Sequence, residues 1–110
     1  MTGQGDLDAV YVDGKVREYL ENILRYTREP EEWLAGVLES GAPEEDFDRI
    51  MRMAKEQAVR AGRKYLVPED IRAAAADTLC LTLILSSRAE SEGLQVESVV
   101  GKILDMIETP

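Results

Sequence analysis

Two Gly-Lys pairs, Gly14-Lys15 and Gly101-Lys102, come closest in residue type to a phosphate-binding loop. Such a loop needs a Gly five positions before the Gly-Lys pair and a Ser or Thr after it, so that backbone amides, lysine and hydroxyl can act together on the phosphates and their metal. Here Val16 and Ile103 follow the lysines, and neither pair has the upstream Gly. Neither is a nucleotide loop. The carboxylate pairs Glu31-Glu32 and Glu44-Glu45 are the next candidates, as acid–base groups. General acid–base work needs a carboxylate held in a tuned pocket, whereas both pairs fall in the first turns of predicted helices, where acids are stabilising anyway. Cys80 sits between Leu79 and Leu81 without a His partner or an electropositive setting, so it reads as a structural thiol. There is no His and no second Cys, which removes His-based triads, internal disulfides and nearly every common zinc pattern. No catalytic and no metal-ligating set is assigned.

Residues suited to binding are more numerous. Arg49, Arg52, Lys55, Arg60, Arg63 and Lys64 concentrate positive charge along and after one predicted helix. They could face a phosphate or an acidic neighbour, or form a solvated face with helical ion pairs. Trp33, the single Trp, could anchor a partner or plug its short segment onto the bundle. Arg49, Arg52, Lys55 and Trp33 form the candidate interaction surface. Met51, Met53 and Met106 fall in helices and suit core filling.

The elements that must position these residues are helical. The 110 residues suit one domain with one core. With 45% hydrophobic residues but only 5% aromatics, the core is aliphatic, which favours helix packing over a sandwich. Twenty-two acids against 13 bases give a net charge of −9, which repels a nucleic-acid backbone and keeps the domain soluble. The start lacks the basic and apolar regions of a signal peptide, and no apolar run approaches a membrane span, so a cytoplasmic protein is expected.

Residues 1–8 are small and polar and read as a flexible segment, leaving 9–110 as the domain. Val10 to Val12 is a short β-prone run. Asp13 can cap a helix carrying Val16, Tyr19, Leu20, Ile23 and Leu24 at helical spacing. A second, shorter helix is predicted from Pro30 to Leu38, closed by Ser40-Gly41. Pro43 opens a long helix ending near Ala61-Gly62, and Pro68 opens another. Leu81 to Leu85 could be a strand pairing with Val10 to Val12, or the helix could continue through Leu81. Ser86 to Gly93 reads as a turn. Val96, Val99, Val100, Ile103, Leu104 and Ile107 form the clearest amphipathic stripe. The expected fold is all-α, a bundle of four to five helices with two very short strands.

The stretch Ala61-Gly-Arg-Lys-Tyr-Leu-Val-Pro-Glu-Asp-Ile-Arg72 resembles two families. One is the histone fold, which also has a long helix, a Gly-Arg-Lys turn and a Pro-Glu-Asp helix start. The other is the C-terminal helical lid of MoxR-type AAA+ ATPases. Four further segments are similar to that lid in the same order: Val10-Tyr-Val-Asp13 with its helix ending Tyr26-Thr-Arg-Glu-Pro30, the turn Glu39-Ser-Gly-Ala-Pro43, Leu83-Ile-Leu-Ser86 with Ala89-Glu-Ser-Glu-Gly93, and the helix ending Lys102-Ile-Leu-Asp105.

The resemblance implies a regulatory, non-catalytic lid. Its partner would be an α/β core that precedes Met1, binds ATP and Mg, and works in chaperone-like rings with von Willebrand A domain proteins. It also implies a position for the arginine, called sensor 2, by which such lids reach nucleotide phosphates. That position is Glu44 when aligned on Pro43 and Glu45 when aligned back from Gly62, so an acid replaces the arginine. The family's His-Arg element is likewise replaced by Leu81-Thr82. Two alternatives remain at this point: a stand-alone helical interaction domain without nucleotide sensing, and a histone-fold-like dimer.

Overall fold

The computed structural model describes residues 3–110. In chain order the elements are α1 (Gln4–Asp8), α2 (Gly14–Arg28), β1 (Leu38–Ser40), α3 (Asp46–Arg60), α4 (Pro68–Thr82), β2 (Ile84–Leu85), α5 (Ser87–Ser91) and α6 (Val96–Met106). The chain is thus mostly helical, with one two-stranded sheet.

Local sequence accounts for the four long helices. The Asp13 carboxylate accepts the Lys15 amide at 2.9 Å and caps α2. Val16, Tyr19, Leu20, Ile23 and Leu24 line its buried face. At the end of α3, Gly62 takes φ +77°, and the amides of Gly62 and Arg63 bond back to Val59 and Ala58. This is the left-handed closure that a Gly just past a helix permits. Pro68 occupies the first position of α4, where its missing N–H costs nothing. Its neighbour Asp70 is fully buried. It accepts the Val67 amide at 3.0 Å, a two-pronged bond from Arg63 at 2.7 and 2.9 Å, and the Gln57 amide at 3.0 Å. One carboxylate therefore starts α4 and ties it to the end of α3.

Helix α3 lies along α4 as the most extensive pairing, and α4 also packs against α2 and α6. The core runs through Leu20, Ile23, Ile50, Ile71, Leu79 and Ile103, all at 0% exposure. Ala54, Ala58, Ala74 and Ala75 let the helices approach closely. Because α2 and α6 cover the α4 face within one chain, this core does not require a second copy, unlike that of a histone-fold dimer.

Within the segment 1–8, residues 4–8 form α1, whose Leu7 is buried, and Met1 and Thr2 lie outside the described residues. Several expectations are corrected. The helix expected over 30–38 is a single turn, with the Ala35 amide bonded to the Glu31 carbonyl, followed by β1. Gly36, at φ +80°, breaks the helical path there. Leu81 and Thr82 belong to α4, and the short strand after them pairs antiparallel with β1, Leu38 opposite Leu85. It does not pair with Val10 to Val12. Instead Tyr11 forms an isolated parallel bridge with Tyr65. Within the expected turn, Ser86 caps the short helix α5 by accepting the Ala89 amide. No helix among the described residues is long and apolar enough to cross a membrane.

Candidate functional site

An open groove of about 530 Å³ lies between α2 and the start of α3, with Leu24 and Phe47 as apolar lining and charged walls. Its shape depends on how the 41–45 turn is held against the end of α2. The Arg28 guanidinium donates to the carbonyls of Ala42 and Pro43 at 2.9 and 3.1 Å. The buried Thr27 hydroxyl accepts the Ala42 amide at 3.0 Å and donates to the Leu24 carbonyl. Gly41 passes so near that a Cβ there would lie 2.8 Å from the Arg28 Cα and the Thr27 carbonyl oxygen.

Both candidate sensor 2 positions are exposed at this turn. Glu44 lines the groove, and Glu45 is the residue before α3, without a side-chain capping bond. The cations beside Glu44 are Arg17, Arg25 and Arg28. Arg28 is committed to the turn carbonyls, Arg17 lies over the Phe47 ring at 5.0 Å, and Arg25 donates to Asn22. Glu21, Glu29 and Glu44 balance those three charges. This mixed lining does not fit a triphosphate, which needs uncompensated donors.

Asp46, the acid next after Glu44 and Glu45, is the first residue of α3. It is 0% exposed, accepts the Thr82 hydroxyl at 2.6 Å, and has Arg49 3.6 Å from its other oxygen. Asp46 thereby ties the start of α3 to the end of α4. Helical spacing alone could not reveal this bond, because Thr82 is 36 residues away.

The candidate interaction surface divides. Arg49 pairs with Asp46 and Arg52 with Glu56 at 3.3 Å, on α3 itself, and Lys55 is half-buried. Trp33 is held elsewhere. Its indole N–H donates to the Tyr26 hydroxyl at 2.6 Å, and the Lys102 ammonium lies 4.3 Å above its ring. Trp33 thus fastens the 31–37 turn to α2 and α6. Of the remaining basic run, Arg63 is consumed by Asp70.

The Cys80 thiol is pushed up by burial and by the charges of Glu97 and Asp77, which disfavours thiolate chemistry. No cluster of three potential metal ligands occurs among the described residues.

Similarity to known proteins supplies the context for this geometry. The AAA lid domain family matches residues 49–103, half of the chain, from the first turn of α3 into α6. The chain belongs to the AAA lid domain family. The lid is 29% identical over 107 residues to the uncharacterized protein YeaC of Bacillus subtilis, covering 97% of this chain and 32% of YeaC. It superposes with a TM-score of 0.90 on the crystal structure of a presumptive ATPase from Cytophaga hutchinsonii, at 27% identity. That superposition covers 96% of the lid and 33% of the ATPase chain. The lid therefore spans about a third of the length of the relatives it matches. Glu44 and the α2 wall of the groove lie outside the matched family segment.

Proposed function

We propose that this chain is the helical lid of a MoxR-type AAA+ ATPase. It couples ATP binding and hydrolysis in a separate α/β core to chaperone-like remodelling of partner proteins in the cytoplasm. The observation that carries this reading is the backbone match at TM-score 0.90 between nearly the whole lid and one third of an ATPase chain. In this proposal the core binds ATP and Mg and performs the chemistry, in the same polypeptide or in a ring neighbour. Proteins with von Willebrand A domains are the proposed partners. The lid contributes shape and leverage: a stiff α3–α4 pair moved as one body by whatever the core does. It supplies no cation to the phosphates, because Glu44 and Glu45 stand at the turn and the groove's arginines are balanced by acids.

A second reading is favoured by that same acidic turn: a stand-alone interaction domain that has lost any part in nucleotide sensing. The two readings differ in the size of the native gene product. An immunoblot of source cells with an antibody to the lid should show a band about three times heavier than the lid's 12.3 kDa, in proportion to its relatives. A single band at 12.3 kDa selects the stand-alone domain. The 110-residue chain alone should not turn over ATP, and turnover that co-purifies with it through several columns would overturn both readings.

A further inference from the structure

Tyr11 and Tyr65 are two exposed aromatic residues held side by side, apart from the exposed Leu81 and Ile84 near the end of α4. They are paired in the parallel bridge, with the Tyr11 amide donating to the Lys64 carbonyl at 2.8 Å and the Leu66 amide donating to the Tyr11 carbonyl at 3.0 Å. Residues directly opposite one another in such a bridge project to the same side, and their chain neighbours to the other. The inner side is buried, with Val10 at 6% and Leu66 at 4% exposure. The outer side presents two tyrosines at 57% and 53% exposure. The ribbon is already fixed by its inner face and its two backbone bonds, so most of the two rings' area is left facing outward.

Tyr65 is also held in place. Arg63 lies 5.9 Å from the centre of the Tyr65 ring and donates to the Tyr65 carbonyl at 3.0 Å, while its other bonds to Asp70 hold it in place. A hollow of about 220 Å³ lined by Val10, Val59, Gly62 and Lys64 adjoins the ribbon and could receive a side chain. Adjacent tyrosines on a fixed backbone beside a small hollow suit a protein contact, in which aromatic rings give area at little entropic cost.

We infer that the Tyr11–Tyr65 ribbon is the surface on which the lid docks against the α/β core of its own polypeptide. The inference rests on the lid reading above. Two relatives independently argue for this occupant: each aligns with nearly all of the lid yet is about three times as long, so in each a lid of this fold is joined to a larger body. The docked face of the core should carry an apolar strip flanked by hydrogen-bond acceptors for the two phenol hydroxyls.

The test is hydroxyl-radical footprinting read by mass spectrometry on two samples: the 110-residue chain, and the longer polypeptide isolated from source cells with the lid antibody. Tyr11 and Tyr65 should lose reactivity severalfold in the longer protein. Leu81, which is 87% exposed at the far end of α4, serves as the distant apolar reference and should change little. Equal reactivity of both tyrosines in the two samples, or protection of Leu81 in their place, overturns the docking assignment while leaving the lid reading intact. If no longer polypeptide exists, the lid reading fails and takes the assignment with it. Sedimentation of the 110-residue chain closes the remaining option. A monomer is expected, and a dimer abolished by Tyr11→Ser would put a second copy on the ribbon instead.

Discussion

Two buried carboxylates add hydrogen bonds to the apolar packing between α3 and α4, and each does it differently. Asp46 relies on a neutral donor, the Thr82 hydroxyl, with Arg49 too distant for a hydrogen bond. Thr82→Val keeps the shape and removes the donor, leaving a buried carboxylate short of a partner. It should cost about 2 kcal/mol, read as a lower urea midpoint, while Thr82→Ser should recover most of that loss. Asp70 relies on a cation. Burial works against its ionised form, but the Arg63 bonds, the Val67 amide, the Arg63 charge and the Gln57 amide outweigh it and hold the carboxyl below its ordinary value. A depressed folded value means that the ionised group stabilises the fold above about pH 4 and that this contribution fades as pH falls through the lower folded value. Urea midpoints should therefore drop as the pH is lowered from about 6 to about 3, and Asp70→Asn should flatten part of that drop.

Among the elements, the segment from Glu29 to Glu45 is the one whose form is least its own. It is neither helix nor regular sheet over most of its length, and its position comes from what it is fastened to. Trp33 bonds Tyr26, Leu38 pairs with Leu85, Ser86 donates to the Gly36 carbonyl, and Arg28 and Thr27 hold the turn after Gly41. The closest of these contacts is at Gly41, where an added methyl would meet the Arg28 Cγ and also backbone atoms of Arg28 and Thr27, which cannot swing away. Gly41→Ala should destabilise by about 2 kcal/mol or more through overpacking, measured by thermal melting. It should also enlarge the groove mouth by pushing Glu44 outward. Arg28→Ala should loosen the same turn by removing two bonds to carbonyls, at about 1–2 kcal/mol. Agreement between the two variants in a fluorescence signal from Trp33 would place the whole 29–45 segment in one cooperative unit.

For the molecule as a whole, the long helices α2, α3, α4 and α6 form one body around a single core, and the small elements hang on its surface. Hydrogen exchange should follow that division. Amides in the middles of α3 and α4 should exchange only through global unfolding, whereas α1, α5 and the 31–37 turn should open at lower cost. Uniform protection across the chain would mean that the small elements are as tightly coupled as the core, and the lid would then move as a single rigid piece without a compliant rim. The same view explains how an acidic domain presents an aromatic ribbon at one end and exposed Leu81 and Ile84 at the other. The α3–α4 pair separates these ends, because Tyr65 lies before the start of α4 and Leu81 near its end.

What the sequence by itself determined is whatever depends on residues within a turn or two of each other. Asp13, Gly62 and Pro68 set helix ends through their own backbone chemistry, and the apolar spacing in α2, α3, α4 and α6 chose the buried faces. The family resemblance was legible for the same reason, since its motifs are short and ordered. What only the tertiary structure decided is every feature made by groups distant in sequence. These include the partner of β2, the bridge that brings Tyr11 to Tyr65, the burial of Asp46 under Thr82, and the separate fates of Trp33 and the basic residues of α3. A β-prone run carries no label for its partner, because backbone hydrogen bonds are the same for every residue. A carboxylate at a helix start looks alike whether water or another helix lies above it. Only the packing of α3 against α4 settles which of the acids at that turn is buried and which lines the groove.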